Sequence, residues 1–307
     1  MDKSIGWELY RTFLAVLTEG SLSGAARALG ITQPTAGRHI AALEASFRQP
    51  LFIRSQTGLL PTETALGLRG YAESMRDTAA ALERAATAQG TQVNGTVRIS
   101  ASEVIAVEVL PAMLALLRQA HPQLRIELLA TDRVHDLLQR EADIAVRMTT
   151  PRQDALIARR VGDVELGFYA HGAYLQRQGT PRVPADLGRH ALIGFDSETP
   201  FVRAASKRLP LWQRETFTLR TDNNLAQLAM IRAGCGIGIC QSALALRDPD
   251  LVRILGEHFT FRLETWVTMH EDLRASASCR AVFDALVQCL QAHTKLTPGG
   301  ATCATGN

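Results

Sequence analysis

A short polar run after residue 31 has the residue types and spacing needed to contact nucleic-acid bases. At about 100° per residue in a helix, Arg38 points away from the apolar side, with Thr35 and Gly37 beside it and Gln33 in the first turn. Hydroxyl, amide and guanidinium groups can form hydrogen bonds with the donors and acceptors that base edges present in a major groove. The predicted contacts are Thr32, Gln33, Pro34, Thr35, Gly37, Arg38 and His39, of which His39 contacts either a phosphate or the core.

Two short helices joined by a tight turn must position these side chains. Gly30 has the place of a helix C-cap, and Thr32 with Pro34 starts the next helix. Each helix has one apolar stripe at helical spacing, formed by Leu22, Ala25, Ala26 and Leu29, and by Ala36, Ile40, Leu43 and Phe47. The segment from Ser21 to Phe52 therefore predicts a helix-turn-helix, although an ordinary helical hairpin has the same pattern.

The flanking segments favour DNA binding over a plain hairpin. An amphipathic helix precedes the motif, and LFIRSQTGLLPT after it alternates around Gly58 like a short β-hairpin. A helix, a helix-turn-helix and a hairpin together make a winged module. Arg54, in the predicted wing, is expected to contact a phosphate or the minor groove; the alternative is a solvated surface arginine.

The chain resembles the LysR-type transcriptional regulators at these motifs. The resemblance is carried by GSLSGAARALGITQP, by the ALE of the second helix, and by PLFIR and LLPTET. It is strong from Trp7 to Leu68 and looser to about Leu290. Many members have valine or isoleucine, then serine or threonine, in place of Ala36 and Gly37. Because Gly37 removes a side chain from the groove-facing flank, base preference does not transfer from relatives.

Composition sets limits on the class of protein. A length of 307 residues suggests two or three domains, and 46% apolar residues are enough for a core. The N-terminus has no long apolar run after a basic start, so we expect no signal peptide, no membrane contact and a cytoplasmic location. A net charge of +3 does not by itself argue for DNA, so hydroxyls and helix N-termini must supply some phosphate contacts.

The segment from Pro61 to about Gln89 predicts one long helix without internal proline. Its apolar residues recur every three or four positions, as in a seam between two helices, or between this helix and its own chain. They are Leu68, Tyr71, Met75, Ala79, Leu82 and Ala86. The resemblance implies a linker helix that pairs two subunits, so that a homodimer places two recognition helices on a pseudo-palindrome in double-stranded DNA. It also implies a homotetramer, with RNA polymerase as a further partner.

Alternating strands and helices from Thr96 predict a parallel α/β sheet, followed by a second α/β run from Ala191. We predict helices at Val104–Gln119 and 134–140, strands ALIGF and FTLRT, a helix from about Asn223 to Ala233, and a last helix near 276–292. Two lobes joined by crossing strands resemble the family's effector domain, which is similar in fold to periplasmic solute-binding proteins. The predicted domains are 1–60 for DNA binding, 61–90 for the linker, 91–293 for the effector domain (lobe I about 96–165 plus 269–293, lobe II about 166–268), and a disordered tail at 294–307.

Three segments are predicted to line the cleft between the lobes. Ser100 and Ser102 open a helix that can hold an anion, although serine is also simply a good N-cap. Arg147 and Thr149 end a strand, and the arginine can bind a carboxylate or form a salt bridge within the protein. The resemblance places effector contacts at these segments and at the start of a later helix. The predicted contacts are Ser100, Ser102, Arg147, Thr149, Phe201 and Asn223, for a small organic anion.

Other chemistry is weakly indicated. GCGIGIC imitates a dinucleotide-binding loop, but a helix precedes it and a strand carries its last glycines, so a tight turn is favoured. A redox switch through Cys235 and Cys240 is a minor alternative to buried thiols. No catalytic or metal constellation and no cofactor is indicated. We predict a ligand-responsive DNA-binding regulator; the alternative is an enzyme or solute-binding protein with a helical N-terminal appendage, which would have no use for both wing and linker helix.

Overall fold

The computed structural model describes residues 5–55, 58–87, 92–132, 142–151 and 156–296. The chain divides into two compact units, a first unit that ends at Glu83 and a second unit that begins at Arg84. This boundary lies in the last turn of a long helix, whereas the sequence places domain boundaries after residues 60 and 90. The finer division into DNA-binding, linker and effector segments stays a prediction.

The first unit contains the predicted helix-turn-helix. Ser21 Oγ accepts the Gly24 N–H at 3.1 Å, Gly30 ends the first motif helix at φ 66°, and Thr32 Oγ1 accepts the Thr35 N–H at 3.3 Å. These local caps fix the start and the end of the first motif helix and the start of the second where the sequence places them. The elements are α1 Trp7–Glu19, α2 Leu22–Leu29, α3 Gln33–Phe47, β1 Phe52–Ser55, β2 Gly58–Pro61 and α4 Glu63–Thr87.

The wing is an antiparallel hairpin in which Phe52 is opposite Pro61 and Ser55 is opposite Gly58. Gly58 has φ 138°, and a Cβ at this position would lie 2.5 Å from the carbonyl oxygen of Gly20. The same carbonyl accepts the Leu59 N–H at 2.8 Å. Glycine is therefore required here, because a side chain would collide with the turn between α1 and α2.

Helix α4 has one face in the core of the first unit and another face in solvent. Ala65 and Ala72 are buried in that core, whereas 75% of Tyr71 and 67% of Leu82 are exposed. Met75 is also exposed. Part of the predicted seam is thus apolar surface, and the side chain of Ala86 lies outside the described residues.

The second unit is built on a seven-stranded sheet in the order β10-β6-β11-β5-β3-β4, with β9 also paired to β6. Strand β3 is parallel to β4 and β5, as predicted, and the long strands β6 and β11 run antiparallel. Strands β7 and β8 form a separate parallel pair. The strands are β3 Gly95–Ala101, β4 Leu124–Ala130, β5 Ile144–Arg147, β6 Leu156–His171, β7 Ile193–Gly194, β8 Leu219–Arg220, β9 Gly238–Gln241, β10 Leu251–Ile254 and β11 Phe261–His270.

Helices cover this sheet, and the described residues of this unit include two large hydrophobic cores. One core contains Val97, Val282 and Leu290, and the other surrounds Phe168 and Trp212. No helix of the described ranges is long and apolar enough to cross a membrane. The helices are α5 Leu110–Ala120, α6 Gly172–Gln178, α7 Pro200–Ser206, α8 Asn224–Arg232, α9 Ser242–Ala245 and α10 Ala277–Lys295.

Some predicted boundaries of the second unit are wrong. The expected helix at Val104–Gln119 begins as a π-helical turn, Ile105–Val109, before α5, because Pro111 has no N–H to continue an α-helical ladder. Strands β7 and β8 have two residues each instead of five. Thr294 belongs to α10 and donates to the Val161 carbonyl, so the predicted tail begins too early. The predicted helix at 134–140 lies outside the described residues.

Candidate functional site

The first turn of α3 presents polar groups to solvent. Thr32, Gln33, Pro34 and Arg38 are exposed. Thr32 Oγ1 lies 2.9 Å from the hydroxyl of Thr35, which accepts a 3.3 Å hydrogen bond from Arg38 Nη2. The other guanidinium nitrogens of Arg38 have no partner in the described part of the chain. This edge of α3 therefore carries unused donors, as a base-reading surface needs.

Two predicted residues of α3 contact the protein itself. A Cβ at Gly37 would lie 3.7 Å from Leu22 Cδ1, in ordinary contact with α2. His39 Nδ1 lies 2.7 Å from Thr12 Oγ1, and the Thr12 hydroxyl donates to the Glu8 carbonyl at 2.8 Å. Since that hydroxyl has one proton, His39 Nδ1 is the donor to Thr12. With Nδ1–H as the donor, Nε2 of a neutral ring is an acceptor, so only a doubly protonated His39 could donate to a phosphate; that contact stays a prediction.

The wing is tied to α3 by a carboxylate. Glu44 Oε1, on α3, accepts the Leu51 N–H at 2.7 Å and the Phe52 N–H at 3.2 Å. Arg54 follows on β1, opposite Leu59, and is exposed without a partner among the described residues. The two hydrogen bonds to Glu44 fix the start of β1 relative to α3. Because Arg54 lies on this strand, its position relative to the exposed edge of α3 is fixed as well.

The second unit contains a cavity of about 640 Å³. This volume is typical of pockets that bind small molecules. Its wall is mostly apolar and includes four aromatic side chains. Phe201 packs edge-to-face against Phe195 and Phe261, with ring centroids 6.2 and 5.2 Å apart, and Trp212 completes this side. The cavity is therefore suited to a ligand with a large apolar surface.

Three of the six predicted effector residues lie on this wall, namely Ser102, Thr149 and Phe201. The hydroxyls of Ser102 and Thr149 make no hydrogen bond within the described ranges. Both are therefore available to a ligand. Effector contact by these three residues stays a prediction, and their place on the wall supports it.

Ser100 and Arg147 are absent from the described part of the wall and bind each other. Ser100 is buried, and its Oγ accepts a 2.6 Å hydrogen bond from Arg147 Nη2. Arg147 Nη1 donates to the carbonyls of Ser100 at 3.0 Å and Val146 at 2.9 Å. The Arg147 guanidinium, which the sequence predicts to bind a ligand carboxylate, thus forms hydrogen bonds within the protein.

Hydrogen bonds from the start of α8 cross the cleft. Asn223 caps α8 by accepting the Ala226 N–H at 2.8 Å, and its Nδ2 donates to Glu103 at 3.0 Å. The next residue, Asn224, lies on the wall and donates to Asp132 at 2.6 Å. Glu103 and Asp132 follow strands β3 and β4. These two side-chain bonds, the cleft ties, connect the second α/β run to the first.

The charges on the described wall are negative. It includes the carboxylates of Asp132 and Asp222, and no lysine, arginine or histidine among the residues that the structure describes. Hydrogen bonds from the Ser197 hydroxyl and N–H lower the pKa of Asp222. Burial and the charge of Asp132 raise the pKa of Glu103. The described part of this wall does not supply a counter-charge for an anion.

Two residues of the cavity wall are not predicted from the sequence. Gln227 and Gln241 are 4% and 6% exposed and both line the cavity. Glutamine within a helix or at the end of a strand usually faces water, so nothing in the local sequence marks these two as buried. Only tertiary packing identifies them.

The cysteine chemistry also follows from burial. Cys240 lines the cavity, and burial raises the pKa of its thiol to about 12, whereas Cys235 is exposed. A thiol with so high a pKa is a poor nucleophile at neutral pH. The redox switch stays a hypothesis that this environment does not favour. No group of metal-ligating side chains was found among the described residues.

The chain combines a winged helix-turn-helix, a long helix and a two-lobed α/β unit with a ligand-sized cavity. This combination defines a class of ligand-responsive DNA-binding regulators. Residues 7–66 match the model of the bacterial regulatory helix-turn-helix protein, lysR family, and residues 90–291 match the LysR substrate binding domain. The chain belongs to the LysR-type family of transcriptional regulators.

Relatives cover nearly the whole chain. It is 24% identical over 292 residues to the probable HTH-type transcriptional regulator LtrA of Klebsiella pneumoniae, covering 91% of this chain and 93% of that protein. It is 29% identical over 256 residues to PtxR of Pseudomonas aeruginosa, covering 79% and 80%. The structure of full-length CbnR complexed with its target DNA has a TM-score of 0.63 at 21% identity, covering 93% and 99%. The relatives are regulators, which supports the regulator over the enzyme or solute-binding alternative.

Proposed function

We propose that this chain binds operator DNA through α3 and the wing, and that a small molecule in the cavity changes its DNA binding or promoter activation. The exposed edge of α3 carries this proposal. Arg38 and the residues from Thr32 to Thr35 offer hydrogen-bonding groups at the start of a helix whose opposite stripe is buried. A wing fixed to the same helix adds Arg54. The proposal assigns the chain no catalytic role.

Binding to the DNA upstream of its own gene tests the proposal. The purified full chain is titrated with this DNA and with scrambled DNA of equal length, at several salt concentrations. We expect sequence-selective binding that persists near physiological salt and protects two half-sites from cleavage. Equal affinity for both DNAs at every salt concentration contradicts operator binding at this promoter.

Arg38→Ala separates base reading from phosphate binding. If Arg38 reads a base, its loss weakens operator binding by about 1 to 3 kcal/mol and leaves binding to scrambled DNA unchanged. Arg177→Ala is the matched control, because Arg177 is an exposed arginine on α6 in the second unit. A uniform loss on both DNAs, with a smaller salt slope, assigns Arg38 to a phosphate instead.

We infer a homodimer formed through α4. Tyr71, Met75 and Leu82 are apolar, exposed and within about 40° of one another around the helix. A second α4 would cover them and place two copies of α3 on the half-sites of a pseudo-palindrome. Two such dimers would form a homotetramer, with RNA polymerase as a further partner at the promoter.

The double variant Tyr71→Glu, Leu82→Glu tests this interface by analytical ultracentrifugation. Charges at these positions are expected to lower the oligomeric state of the full chain. Arg69→Glu is the control, since Arg69 is exposed on α4 about 160° from Tyr71. An unchanged sedimentation coefficient for the double variant rules out α4 as the main interface.

A further inference from the structure

We propose that the cavity binds an uncharged, largely apolar effector that carries at least one hydrogen-bond donor and one acceptor, recognised by Gln227 and Gln241. This inference rests on the proposed function, because it specifies the ligand of the same cavity. It differs from the organic anion that the sequence predicts.

Gln227 offers the cavity an acceptor. Its side chain is 4% exposed, and Nε2 donates to the Thr221 carbonyl at 2.8 Å. A carbonyl accepts hydrogen bonds only, so this bond fixes which end of the amide faces the protein. Oε1 has no partner in the described part of the chain. Because Oε1 is not fully buried, it is open to a hydrogen-bond donor on a ligand in the cavity, and that bond would replace one to water.

Gln241 offers a donor, and a chain of hydrogen bonds sets its orientation. Arg247 Nη2 lies 3.5 Å from His293 Nδ1, and His293 Nε2 lies 3.0 Å from Gln241 Oε1. Burial and the charge of Arg247 lower the pKa of His293 to about 4, so the imidazole is neutral at pH 7. Since arginine can only donate, Nδ1 accepts and Nε2–H donates to Gln241. The amide NH₂ of Gln241, 6% exposed, is left for the ligand.

The charges of the wall disfavour an anion. Arg147 binds Ser100 and Val146, and the described wall supplies carboxylates but no cation. Transfer of a carboxylate ligand into this mostly apolar cavity would remove its hydration without a counter-charge from the wall residues that the structure describes. A neutral amide or lactam loses much less on transfer, and it carries the donor and the acceptor that would complement Gln227 and Gln241.

The two wall carboxylates do not call for a cationic ligand either. Asp132 accepts the Glu103 N–H at 3.1 Å and Nδ2 of Asn224 at 2.6 Å. Asp222 accepts the N–H and hydroxyl of Ser197 at 2.8 and 2.7 Å. Both acids therefore have protein donors, which a neutral ligand leaves in place.

Three probes with one ring system test the charge preference. The full chain is titrated by isothermal calorimetry at pH 7.5 with 2-naphthamide, 2-naphthoate and (2-naphthylmethyl)ammonium. We expect the amide to bind at least about tenfold more tightly than either ion, because only the amide avoids burying an unpaired charge. Equal or tighter binding of an ion, or no amide binding up to its solubility limit, overturns the inference.

Gln241→Glu tests the assigned donor. The variant keeps an acceptor for His293 and replaces the NH₂ with a carboxylate oxygen of nearly the same shape. We expect amide affinity to fall about tenfold or more and ammonium affinity to rise. Gln176→Glu, an exposed glutamine on α6, is the charge-matched control. Circular dichroism confirms folding, and unchanged probe selectivity in folded Gln241→Glu overturns the role of Gln241.

Operator binding is measured on the same preparations, so the two proposals fail separately. Amide selectivity without operator binding leaves the ligand inference standing and removes the proposed operator. Operator binding with selectivity for the carboxylate leaves the regulator standing and removes the neutral effector.

Discussion

Gly58→Ala is expected to destabilise the first unit by about 2 to 4 kcal/mol. The substitution places a Cβ 2.5 Å from the Gly20 carbonyl oxygen at a residue with φ 138°. Strained backbone of this kind costs about 1 to 3 kcal/mol. If the wing moves to relieve the contact, the 2.8 Å hydrogen bond from the Leu59 N–H to Gly20 is lost, at about 0.5 to 1.5 kcal/mol.

Gly67→Ala provides a control in the same unit, for which the expected change in stability has the opposite sign. Gly67 lies inside α4 with no atom within 4 Å of an added Cβ, so alanine is expected to stabilise the helix by about 0.5 to 1 kcal/mol. Hydrogen–deuterium exchange of the full chain measures both effects. In Gly58→Ala, amides of α1 and of the wing, including Leu59, are expected to exchange about 30-fold faster or more. Equal protection of Leu59 in Gly58→Ala and wild type, or shifts of the same sign in both variants, would refute this account of the wing.

Two further perturbations act on the second unit. Arg84→Ala is expected to lower the free energy of unfolding, measured in urea, by about 3 to 5 kcal/mol. The reason is that Asp143 is 5% exposed and its 2.9 Å ion pair with Arg84 would be lost. A decrease below about 1 kcal/mol would contradict a buried ion pair. The pKa of His293 is lowered to about 4 by burial and by Arg247, so the folded state binds fewer protons than the unfolded chain. The free energy of unfolding should therefore fall by about 3 kcal/mol as the pH decreases from 6.5 to 4. The variant His293→Gln should lose this pH dependence. An equal pH dependence in the variant would show that another group causes it.

The first unit was predictable because its signals are local. Ser21, Gly30 and Thr32 act on backbone groups within a few residues, and the stripe through Ile40 and Leu43 needs only helical spacing. The presence of the hairpin also follows from the alternation of apolar and polar residues around Gly58. The contact between that glycine and Gly20 was not predictable, because it joins segments 38 residues apart in the sequence.

The cavity was predictable only in part, since its polarity depends on long-range partners. Ser102 and Thr149 were identified by their place at strand ends, which a parallel sheet brings together. Arg147 has the right position for an anion but is bound to Ser100, 47 residues earlier in the chain. Gln241 was missed because its orientation depends on His293 of the last helix.

The cleft ties have a consequence for the speed of the response. Asn223 and Asn224 hold Glu103 and Asp132 at 3.0 and 2.6 Å across the rim of the cavity. A ligand larger than the remaining opening would need these bonds to break on entry and on escape, and bonds that re-form in both states would lower both rate constants together. We therefore expect the ties to slow ligand exchange, so that the response follows sustained rather than brief changes in ligand concentration.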